Sequence, residues 1–501
     1  MEYIVTVADP QVWDTLWDEL TENGLGDNFI PDRAVPVINE RPFNDFSAHF
    51  DLTDEEAEQL RQDSRIASVE LQADQQPGVE KGFLGTRTAL YDKSSATSSS
   101  MKNWGLLRGV KSANPFASSL NITGDYTYNL DGTGVDIVVI DSGVEPGHPE
   151  FAVNADGTGG TRVVDYNWAS LGVPGVPTSA SIGGYLGDAD GHGSHCAGIA
   201  AGNTCGWAPG AAIYSIRIFG GSSIRTGQYL DTISSDLAFD LVRAFHLKKQ
   251  AEGNTRPTIC TNSWGYRSTG YGAMAYTVYR GTQYNITTRS PAYGQVNFQH
   301  PYIVNYLDVS ANNASAAGVI LIGAAGNYYH KIDVPGGLDY DNYYRYANLE
   351  NVYYHRGSSP TRASEFINVG AIDNTVTEQK SSFSETGPRV DVYAPGSYIM
   401  SALSNRYGSL SDPRNSTYRI GKISGTSMAC PQVTGMLACA LQARPTMTPA
   451  QAKQFVIDHS IKNTLVEGAI TSYTSTTYLQ GGNNRILKTP FTSPNRGGIT
   501  S

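Results

Sequence analysis

Four residues far apart in the sequence carry side chains that together could attack an acyl carbon: Asp141, His192, Asn327 and Ser427. A serine hydroxyl is a weak nucleophile until a neighbouring base takes its proton, and an imidazole oriented by a carboxylate is such a base. A side-chain amide can donate a hydrogen bond to the oxyanion that forms. The four side chains therefore predict nucleophilic catalysis, provided that the fold brings them together.

The stretch from Ser424 to Gly435 predicts a tight turn that runs directly into a helix. Gly425 permits an unusual backbone angle, and the small residues after it allow the helix to pack closely on a sheet. Ser427 would then lie in the first helical turn, where unpaired N–H groups and the positive end of the helix dipole favour developing negative charge. A serine in such a turn is more often only a capping residue, so its role depends on the other three side chains.

The other candidates lie where α/β folds place their chemistry. Residues 135–140 form a nearly continuous apolar strand, as in a parallel sheet covered on both faces, and Asp141 follows it. Asn327 follows a second strand of this kind, and His192 opens a helix rich in Gly and Ala. The carboxyl ends of parallel strands meet at one edge of a sheet. A lone histidine is more often a structural hydrogen-bonding residue, so the argument rests on the whole set.

Beyond Trp104 the sequence alternates between apolar strands and helices, which predicts an α/β fold with a mainly parallel sheet between layers of helices. Further elements are predicted as strands at 212–219, 258–262 and 366–372 and as helices at 230–247 and from Thr448 onward. Two Tyr-rich spans, 266–310 and 328–360, lack a strong period and are predicted to be surface insertions.

The chain before Trp104 predicts a second, smaller domain. Residues 1–74 follow the order strand, helix, strands, helix, strand, which is typical of a small α+β ferredoxin-like domain. In it, Thr53 and Glu56 predict a capping box. The apolar stripe of its first helix consists of Val12, Trp13, Leu16, Trp17 and Leu20.

The remaining boundaries follow from composition. Residues 75–103 are interpreted as a linker, in which the run from Ser94 to Ser100 is either an exposed site for cleavage or an inert surface loop. The main domain then spans 104–490, and residues 491–501 are expected to form a frayed tail.

Composition excludes several classes of protein. The formal net charge of −11 argues against nucleic-acid binding, and most of it comes from residues 1–74, which hold 18 Asp/Glu and 4 Lys/Arg. The sequence contains no run of eighteen apolar residues, so no transmembrane helix is predicted. No secretory signal is visible at the amino terminus. The five cysteines lack zinc spacing and are either small buried residues or members of one or two disulfides.

The motifs around the four candidates occur in the order Asp, His, Asn, Ser and resemble those of subtilisin-like serine peptidases, the subtilases. Their style is closest to the proteinase K branch, in which Cys196 would lie beneath His192. The resemblance covers nearly the whole chain, and residues 43–74 are similar to the prodomain that inhibits these enzymes. Ser194 and Gln432 depart from commoner residues without removing a catalytic group. The matching segments are Asp141–Gly143, His192–Gly198, Ala324–Asn327 and Gly425–Pro431.

The resemblance implies a serine endopeptidase that is made as a self-processing zymogen, with its prodomain (1–74) as inhibitor and polypeptides as substrates. Its triad would be Asp141, His192 and Ser427, and its oxyanion hole would use the Asn327 side chain and the Ser427 backbone N–H. Trp264 and Tyr266 suggest an apolar preference without naming the preferred residue. The substrate-binding residues implied by the family are Ile224, Arg225, Thr226, Gly227, Ser263, Trp264 and Gly265.

The same resemblance implies a monomer that works outside the cell and needs no cofactor for its chemistry. Because no signal peptide is visible, an intracellular or assembly-associated protein is the alternative. The resemblance leaves open whether the protein binds a structural calcium ion. The sequence does not identify a site for it, because the segment 202–209 is too short for the calcium loop found in some relatives.

Two other interpretations compete with a peptidase. An inactive or self-locked structural protein with a subtilase fold would explain the Tyr-rich insertions, but such a protein has no physical need to keep all four chemical groups. An esterase or lipase of the α/β-hydrolase type requires Gly-x-Ser-x-Gly and the order Ser, Asp, His. Here Ser427 is flanked by Thr426 and Met428 and comes last.

Overall fold

The computed structural model describes residues 1–22, 33–39, 47–71, 85–94, 98–223, 226–268, 274–285, 300–346, 351–403, 410–468 and 478–491. The described residues up to Leu71 and those from Gly85 onward form two compact units. Within the described residues, no helix is both long and apolar enough to cross a membrane.

The first unit is one four-stranded antiparallel sheet with two helices. The sheet order is β2-β3-β1-β4, so the element order and pairing match the predicted ferredoxin-like domain. Its elements are β1 Glu2–Val7, α1 Trp13–Thr21, β2 Val37–Asn39, β3 Ser47–Asp51, α2 Asp54–Leu60 and β4 Ile66–Leu71.

The predicted helix features of the first unit are confirmed. Leu16 and Leu20 are buried in its core, and the other members of the α1 stripe pack against that core. The predicted capping box starts α2, because the Thr53 hydroxyl accepts from the Glu56 N–H at 3.2 Å while the Glu56 carboxylate accepts from the Thr53 N–H at 2.8 Å.

The second unit holds the remaining elements. Its α-helices are α3 Trp104–Val110, α4 His192–Ala201, α5 Ala238–Ala251, α6 Asn305–Ala316, α7 Thr426–Ala443 and α8 Pro449–His459. Its strands are β5 Gly85–Asp92, β6 Met101–Lys102, β7 Asn121–Tyr128, β8 Asp136–Asp141, β9 Gly143–Val144, β10 Gly187–Asp188, β11 Ala212–Arg217, β12 Gly221–Ser222, β13 Tyr229–Leu230, β14 Thr258–Asn262, β15 Arg267–Ser268, β16 Met274–Tyr279, β17 Thr282–Asn285, β18 His300–Pro301, β19 Ile320–Ala324, β20 Tyr343–Tyr346, β21 Asn351–Tyr353, β22 Ile367–Ile372, β23 Val392–Pro395, β24 Ile399–Leu403, β25 Leu410–Asp412, β26 Asn415–Ile423, β27 Ile461–Lys462 and β28 Arg485–Ile486.

The central sheet of the second unit has eight strands in the order β11-β8-β14-β19-β22-β23-β28-β27. Its pairs are parallel except for the antiparallel edge pair of β27 and β28. The parallel register brings Asp141 opposite Arg217, at the carboxyl ends of β8 and β11. The predicted α/β fold with a mainly parallel sheet is confirmed.

Helices cover both faces of this sheet. Val138 and Ile140 of β8 pack in one core cluster with Phe245 of α5 and Leu307 of α6. Because successive strand side chains point to opposite faces, the alternate residues of β8 face the other layer, where α7 contacts five strands of the sheet and also packs on α4. This layering fixes the starts of α4 and α7 beside the carboxyl ends of the strands.

The predicted linker is wrong for part of its range. The strand β5 lies between β6 and β7 in a three-stranded sheet of the second unit. The residues that follow are anchored, because Asp92 and Lys93 are fully buried and the Lys93 ammonium donates to the Thr375 carbonyl at 2.6 Å. Polar composition suggested a linker, whereas long-range pairing makes this segment a strand.

Three other predictions need adjustment. The helix predicted at 230–247 begins only at Ala238, after the strand β13 and a short 3-10 helix at Ser235–Leu237. Within the predicted tail, Phe491 stacks on Phe455 with ring centroids 5.9 Å apart, and 492–501 lie outside the described residues. The two Tyr-rich insertions combine, because β16 of the first pairs with both β17 and β20 in a four-stranded sheet.

Candidate active site

Asp141 and His192 meet at the edge of the central sheet. Asp141 is the last residue of β8 and His192 is the first residue of α4. The His192 Nδ1 atom lies 2.9 and 3.0 Å from the two carboxylate oxygens of Asp141. The Asp141 carboxylate is 2% exposed and the His192 side chain 28%, so the imidazole is held from its buried side and is open on the other.

Asp188, which the sequence analysis did not single out, fixes the start of α4. Its buried carboxylate accepts hydrogen bonds from the Gly191 N–H at 2.8 Å, the Ser194 N–H at 2.9 Å and the Ser142 hydroxyl at 2.8 Å. Gly191 has a φ of 106°, a left-handed conformation that favours glycine. The acidic residue four positions before His192 was the available signal for this role.

The Asp141 carboxylate controls the proton affinity of the imidazole. Burial alone would lower the pKa of His192, but the negative charge of Asp141 outweighs burial and raises that pKa well above its ordinary value. The Cys196 sulfur lies 3.8 Å from the His192 Nδ1 atom, as the resemblance implied. Burial raises the pKa of the Cys196 thiol, so it stays neutral and we assign the effect on His192 to Asp141.

Ser427 is the second residue of α7, in the first helical turn as predicted. Its hydroxyl donates to the Ser263 carbonyl oxygen at 3.1 Å, and the Ser263 hydroxyl donates to the Ser427 carbonyl oxygen at 3.0 Å. Gly425 has a φ of 162°, which is extended backbone, so the unusual angle predicted there is not found. A Cβ at Gly425 would lie 3.5 Å from the Asn327 amide nitrogen, in ordinary contact.

Asn327 follows β19, with its amide orientation fixed by Thr426. The Asn327 Oδ1 atom accepts from the Thr426 N–H at 2.8 Å and from the Thr426 hydroxyl at 3.0 Å. Since Oδ1 is the acceptor in both bonds, Nδ2 is the group that Asn327 can offer as a donor to the cleft it lines.

The four candidates line one cleft of about 1060 Å³. Of the predicted substrate-binding residues, Ser263, Trp264 and Gly265 line this cleft. Thr226 and Gly227 are exposed and are not among its lining residues, while Ile224 and Arg225 lie outside the described residues. Among the described residues of this segment, residues 219–223, which include the strand β12, line the cleft.

The lining residues that the sequence analysis missed include Arg267, Tyr328 and Glu385. The Arg267 guanidinium donates to the Tyr328 hydroxyl, and both residues line the cleft. Glu385 also lines it, although its side chain is buried. No local pattern pointed to Glu385, because it lies in the loop between β22 and β23, far in sequence from the candidate motifs.

Metal binding can be assessed only for the described residues. Among them, one group of three potential ligands was found, and it consists of Asp141, His192 and Cys196, whose ligand atoms lie within 4.8 Å of one another. One carboxylate with a nitrogen and a sulfur does not match the all-oxygen coordination that calcium takes in proteins. All five cysteines are buried free thiols, which agrees with the first of the two interpretations given above.

Comparison with known proteins identifies the family. Residues 132–486 match the model of the subtilase family of S8 peptidases, which is more than half of the chain. The chain belongs to the subtilase family. This subtilase is 28% identical over 441 residues to an extracellular serine proteinase of Thermus sp. (strain Rt41A), across 88% of this chain and 75% of that protein.

Other relatives are longer than the matched region. This subtilase is 27% identical over 342 residues to alkaline serine exoprotease A of Vibrio alginolyticus, across 68% of this chain and 45% of that protein. A solved structure of a cold-adapted subtilisin-like serine proteinase aligns with 23% identity and a TM-score of 0.48, over 79% of this chain and 99% of that one. The chain therefore spans less than half of the Vibrio protein and nearly all of the chain in the solved structure.

Proposed function

We propose that this subtilase is a serine endopeptidase that hydrolyses peptide bonds through Asp141, His192 and Ser427 and an acyl-enzyme intermediate. The observation that carries the proposal is the contact of the His192 Nδ1 atom with both Asp141 oxygens, beside a cleft that Ser427 and Asn327 also line. The Thermus relative is named a serine proteinase and the Vibrio relative a serine exoprotease, which supports serine-dependent hydrolysis of peptide bonds.

In the proposed reaction, His192 takes the proton of the Ser427 hydroxyl as the oxygen attacks the carbonyl carbon. Asp141 holds the proton on Nδ1, which leaves Nε2 as the base, and its charge stabilises the imidazolium that forms. His192 then gives the proton to the leaving amine. The Ser427 hydroxyl donates to the Ser263 carbonyl oxygen in the structure, so it must turn to His192 for the reaction, as hydrogen bonds at a catalytic site often tighten only in the complex with substrate.

The developing oxyanion would be held by two donors, the Ser427 backbone N–H and the Asn327 Nδ2 group. Both are positioned before the reaction, the first at the start of α7 and the second through the two hydrogen bonds from Thr426. Donors fixed in advance need no reorganisation when the charge appears, which is why such an arrangement lowers the barrier.

We further propose that the chain is a self-processing zymogen with residues 1–74 as inhibitor, that it acts on polypeptides as a monomer, and that it works outside the cell. The separate first unit and its acidic composition support the inhibitor role, and the name of the Thermus relative supports the location. No cofactor takes part in the proposed chemistry.

A comparison of the wild-type chain with Ser427→Ala tests the proposal. Both proteins are incubated for hours and followed by intact mass, by sequencing of any new amino terminus, by casein hydrolysis and by labelling with a fluorophosphonate. We expect cleavage, hydrolysis and labelling in the wild type only. If the wild type is neither cut nor labelled, and still fails to hydrolyse casein after removal of residues 1–74, the inactive structural protein becomes the better interpretation.

A further inference from the structure

A buried carboxyl group lies beside the candidate oxyanion hole. Glu385 is 1% exposed and lines the cleft. A Cβ built on Gly326 would lie 2.4 Å from the Glu385 Oε1 atom, so the carboxyl group occupies the space that a side chain at position 326 would need. The Glu385 N–H also donates to the Gly326 carbonyl at 2.9 Å. The carboxyl group is therefore adjacent to Asn327, one residue further along.

One oxygen of this carboxyl group, the buried Oε2 atom, has no hydrogen-bond partner among the residues that the structure describes. A buried carboxyl oxygen without a partner is costly, because it has lost the hydrogen bonds of water and received none in return. Burial raises the pKa of Glu385 well above its ordinary value, which is the expected response of a carboxyl group in this position.

The same loop holds a buried cation, Lys380, whose charge acts on Glu385 against the effect of burial on the Glu385 pKa, while its ammonium donates to two backbone carbonyls. The ammonium of Lys380 is buried and donates to the carbonyl oxygens of Ser381 and Ser384 at 2.9 and 2.8 Å. Burial lowers the pKa of Lys380 to about 7. Besides Glu385, the charged groups that line the cleft are Asp141, Asp190, His192 and Arg267.

The rest of the wall suits a long side chain with an apolar stem. Trp264 is partly buried in the wall, where it packs on Phe239 with ring centroids 6.4 Å apart. Gly265 carries no side chain, and its missing Cβ would face Ser358 and Ser359. Lysine and arginine bury their methylene stems along such surfaces and keep the charged end on a polar partner.

We propose that Glu385 is a specificity-determining residue whose carboxyl group binds the cationic end of an arginine or lysine in the substrate. The residue concerned is the one whose carbonyl is attacked, because the Asn327 donor that would hold its oxyanion follows Gly326 directly. The proposal rests on the proposed peptidase function. An arriving guanidinium supplies the missing hydrogen bonds and favours the ionised carboxylate, since an opposite charge close by stabilises the charged form.

The test uses two peptides that differ at one position, with arginine or its neutral isostere citrulline before the scissile bond. We expect the wild-type enzyme to hydrolyse the arginine peptide with a kcat/KM about 10- to 100-fold higher, the range of a hydrogen bond to a charged group. In Glu385→Gln this ratio should fall to about 1–3 as the charge is lost. The matched control is Glu365→Gln, since Glu365 is exposed and outside the cleft lining, and its ratio should equal that of the wild type.

Other outcomes overturn the inference. The inference is contradicted if the wild-type ratio of kcat/KM for the two peptides is near one, or if that ratio is unchanged in Glu385→Gln. It is also contradicted if Glu385→Gln lowers kcat/KM equally on both peptides, because this result indicates that Glu385 only supports Gly326. If Glu385→Gln does not fold, the wild-type enzyme decides alone, since benzamidine should then inhibit it more strongly than neutral benzamide. If the wild type cleaves neither peptide nor casein, the proposed function has failed and not only the specificity.

Discussion

The hydroxyl of Thr426 makes hydrogen bonds with both Asn327, the candidate oxyanion donor, and Gly326, the residue before it. It donates to the Asn327 Oδ1 atom at 3.0 Å and accepts from the Gly326 N–H at 3.1 Å. The Thr426 N–H adds a second bond to the same Oδ1 atom at 2.8 Å. The orientation of the Asn327 amide is thus set by the residue immediately before the candidate nucleophile.

Replacing Thr426 with valine should therefore lower kcat while changing KM little. The variant keeps the side-chain shape but loses one bond to Asn327 and one to Gly326, so we expect a decrease in kcat of roughly tenfold, the scale of one hydrogen bond. The matched control is Thr426→Ser, which keeps the hydroxyl and should retain most of the activity. A loss in Thr426→Ser with full activity in Thr426→Val would show that the methyl packing matters and not the hydrogen bonds.

Asn327→Asp tests the donor itself. The substituted side chain can still accept from Thr426, but it replaces the Nδ2 donor with an oxygen that repels an oxyanion. We expect kcat to fall by about 10²–10³, a loss measured for one such donor in subtilisin, a member of this family. Steady-state kinetics with a chromogenic peptide would measure it, and full retention of kcat would remove Asn327 from the mechanism.

The pH dependence of kcat/KM should follow His192. Only the neutral imidazole can take the serine proton, so activity should fall as the pH drops below the raised pKa of His192, on the high side of about 6.5. Asp141→Asn removes the charge that raises this pKa, so the acid limb should move to lower pH while kcat falls by about 10⁴. Asp156→Asn, in an exposed loop, should leave the profile unchanged. If Asp141→Asn showed the same pH profile as the wild type, the assignment of the acid limb to His192 and its Asp141 partner would be wrong.

Breaking a buried ion-pair cluster away from the cleft should lower stability. The Arg414 guanidinium donates to Glu150 and Asp412, whose carboxylates are fully buried. Arg414→Met would leave both charges without their cation, so we expect the free energy of unfolding to drop by about 3–5 kcal/mol. Urea unfolding in the Ser427→Ala background avoids self-digestion. Arg419→Met, which loses only an exposed bond to Ser411, should change stability by under about 0.5 kcal/mol.

The same ion pair gives stability a defined pH dependence. Burial alone would raise the pKa of Glu150, but Arg414, Lys102 and Thr204 outweigh it and lower that pKa well below its ordinary value. A carboxylate whose pKa is lower in the folded state stabilises the fold above its unfolded pKa of about 4.3, and this contribution is lost as the pH falls further. In Arg414→Met, the free energy of unfolding should therefore decrease less steeply as the pH falls. Parallel curves for the two proteins would contradict this explanation.

Self-processing, if it occurs, should create a new amino terminus before Gly85. The strand β5 is the middle strand of its sheet, and the Lys422 ammonium binds the Asp92 carboxylate at 3.0 Å. A cut within 94–100 would leave β5 held only by non-covalent contacts. Terminal sequencing of the wild type, with Ser427→Ala as control, would place the cut. A terminus after Lys93, with β5 absent from the mature protein, would contradict the prediction.

Local signals in the sequence predicted the element types well. Apolar runs and capping residues depend on neighbours a few positions away, which is why β8, α2 and the start of α7 were predicted near their observed positions. The helix predicted at 230–247 started too early because tertiary contacts place residues 229–230 in a strand. The predicted substrate edge at 224–227 stays a prediction, because Ile224 and Arg225 lie outside the described residues. Residues 219–223, near the pair of β12 and β13, line the cleft, and local sequence does not encode that pairing.

By itself, the sequence determined that a nucleophile, a base, an orienting carboxylate and an amide donor would lie at the ends of strands and helices in an α/β fold. Only the tertiary structure decided which other groups join them. Glu385 meets Gly326, and the two Tyr-rich insertions share one sheet, through contacts between residues about sixty or more positions apart. Such contacts depend on strand order and helix packing across the whole unit, so no local pattern could have revealed them.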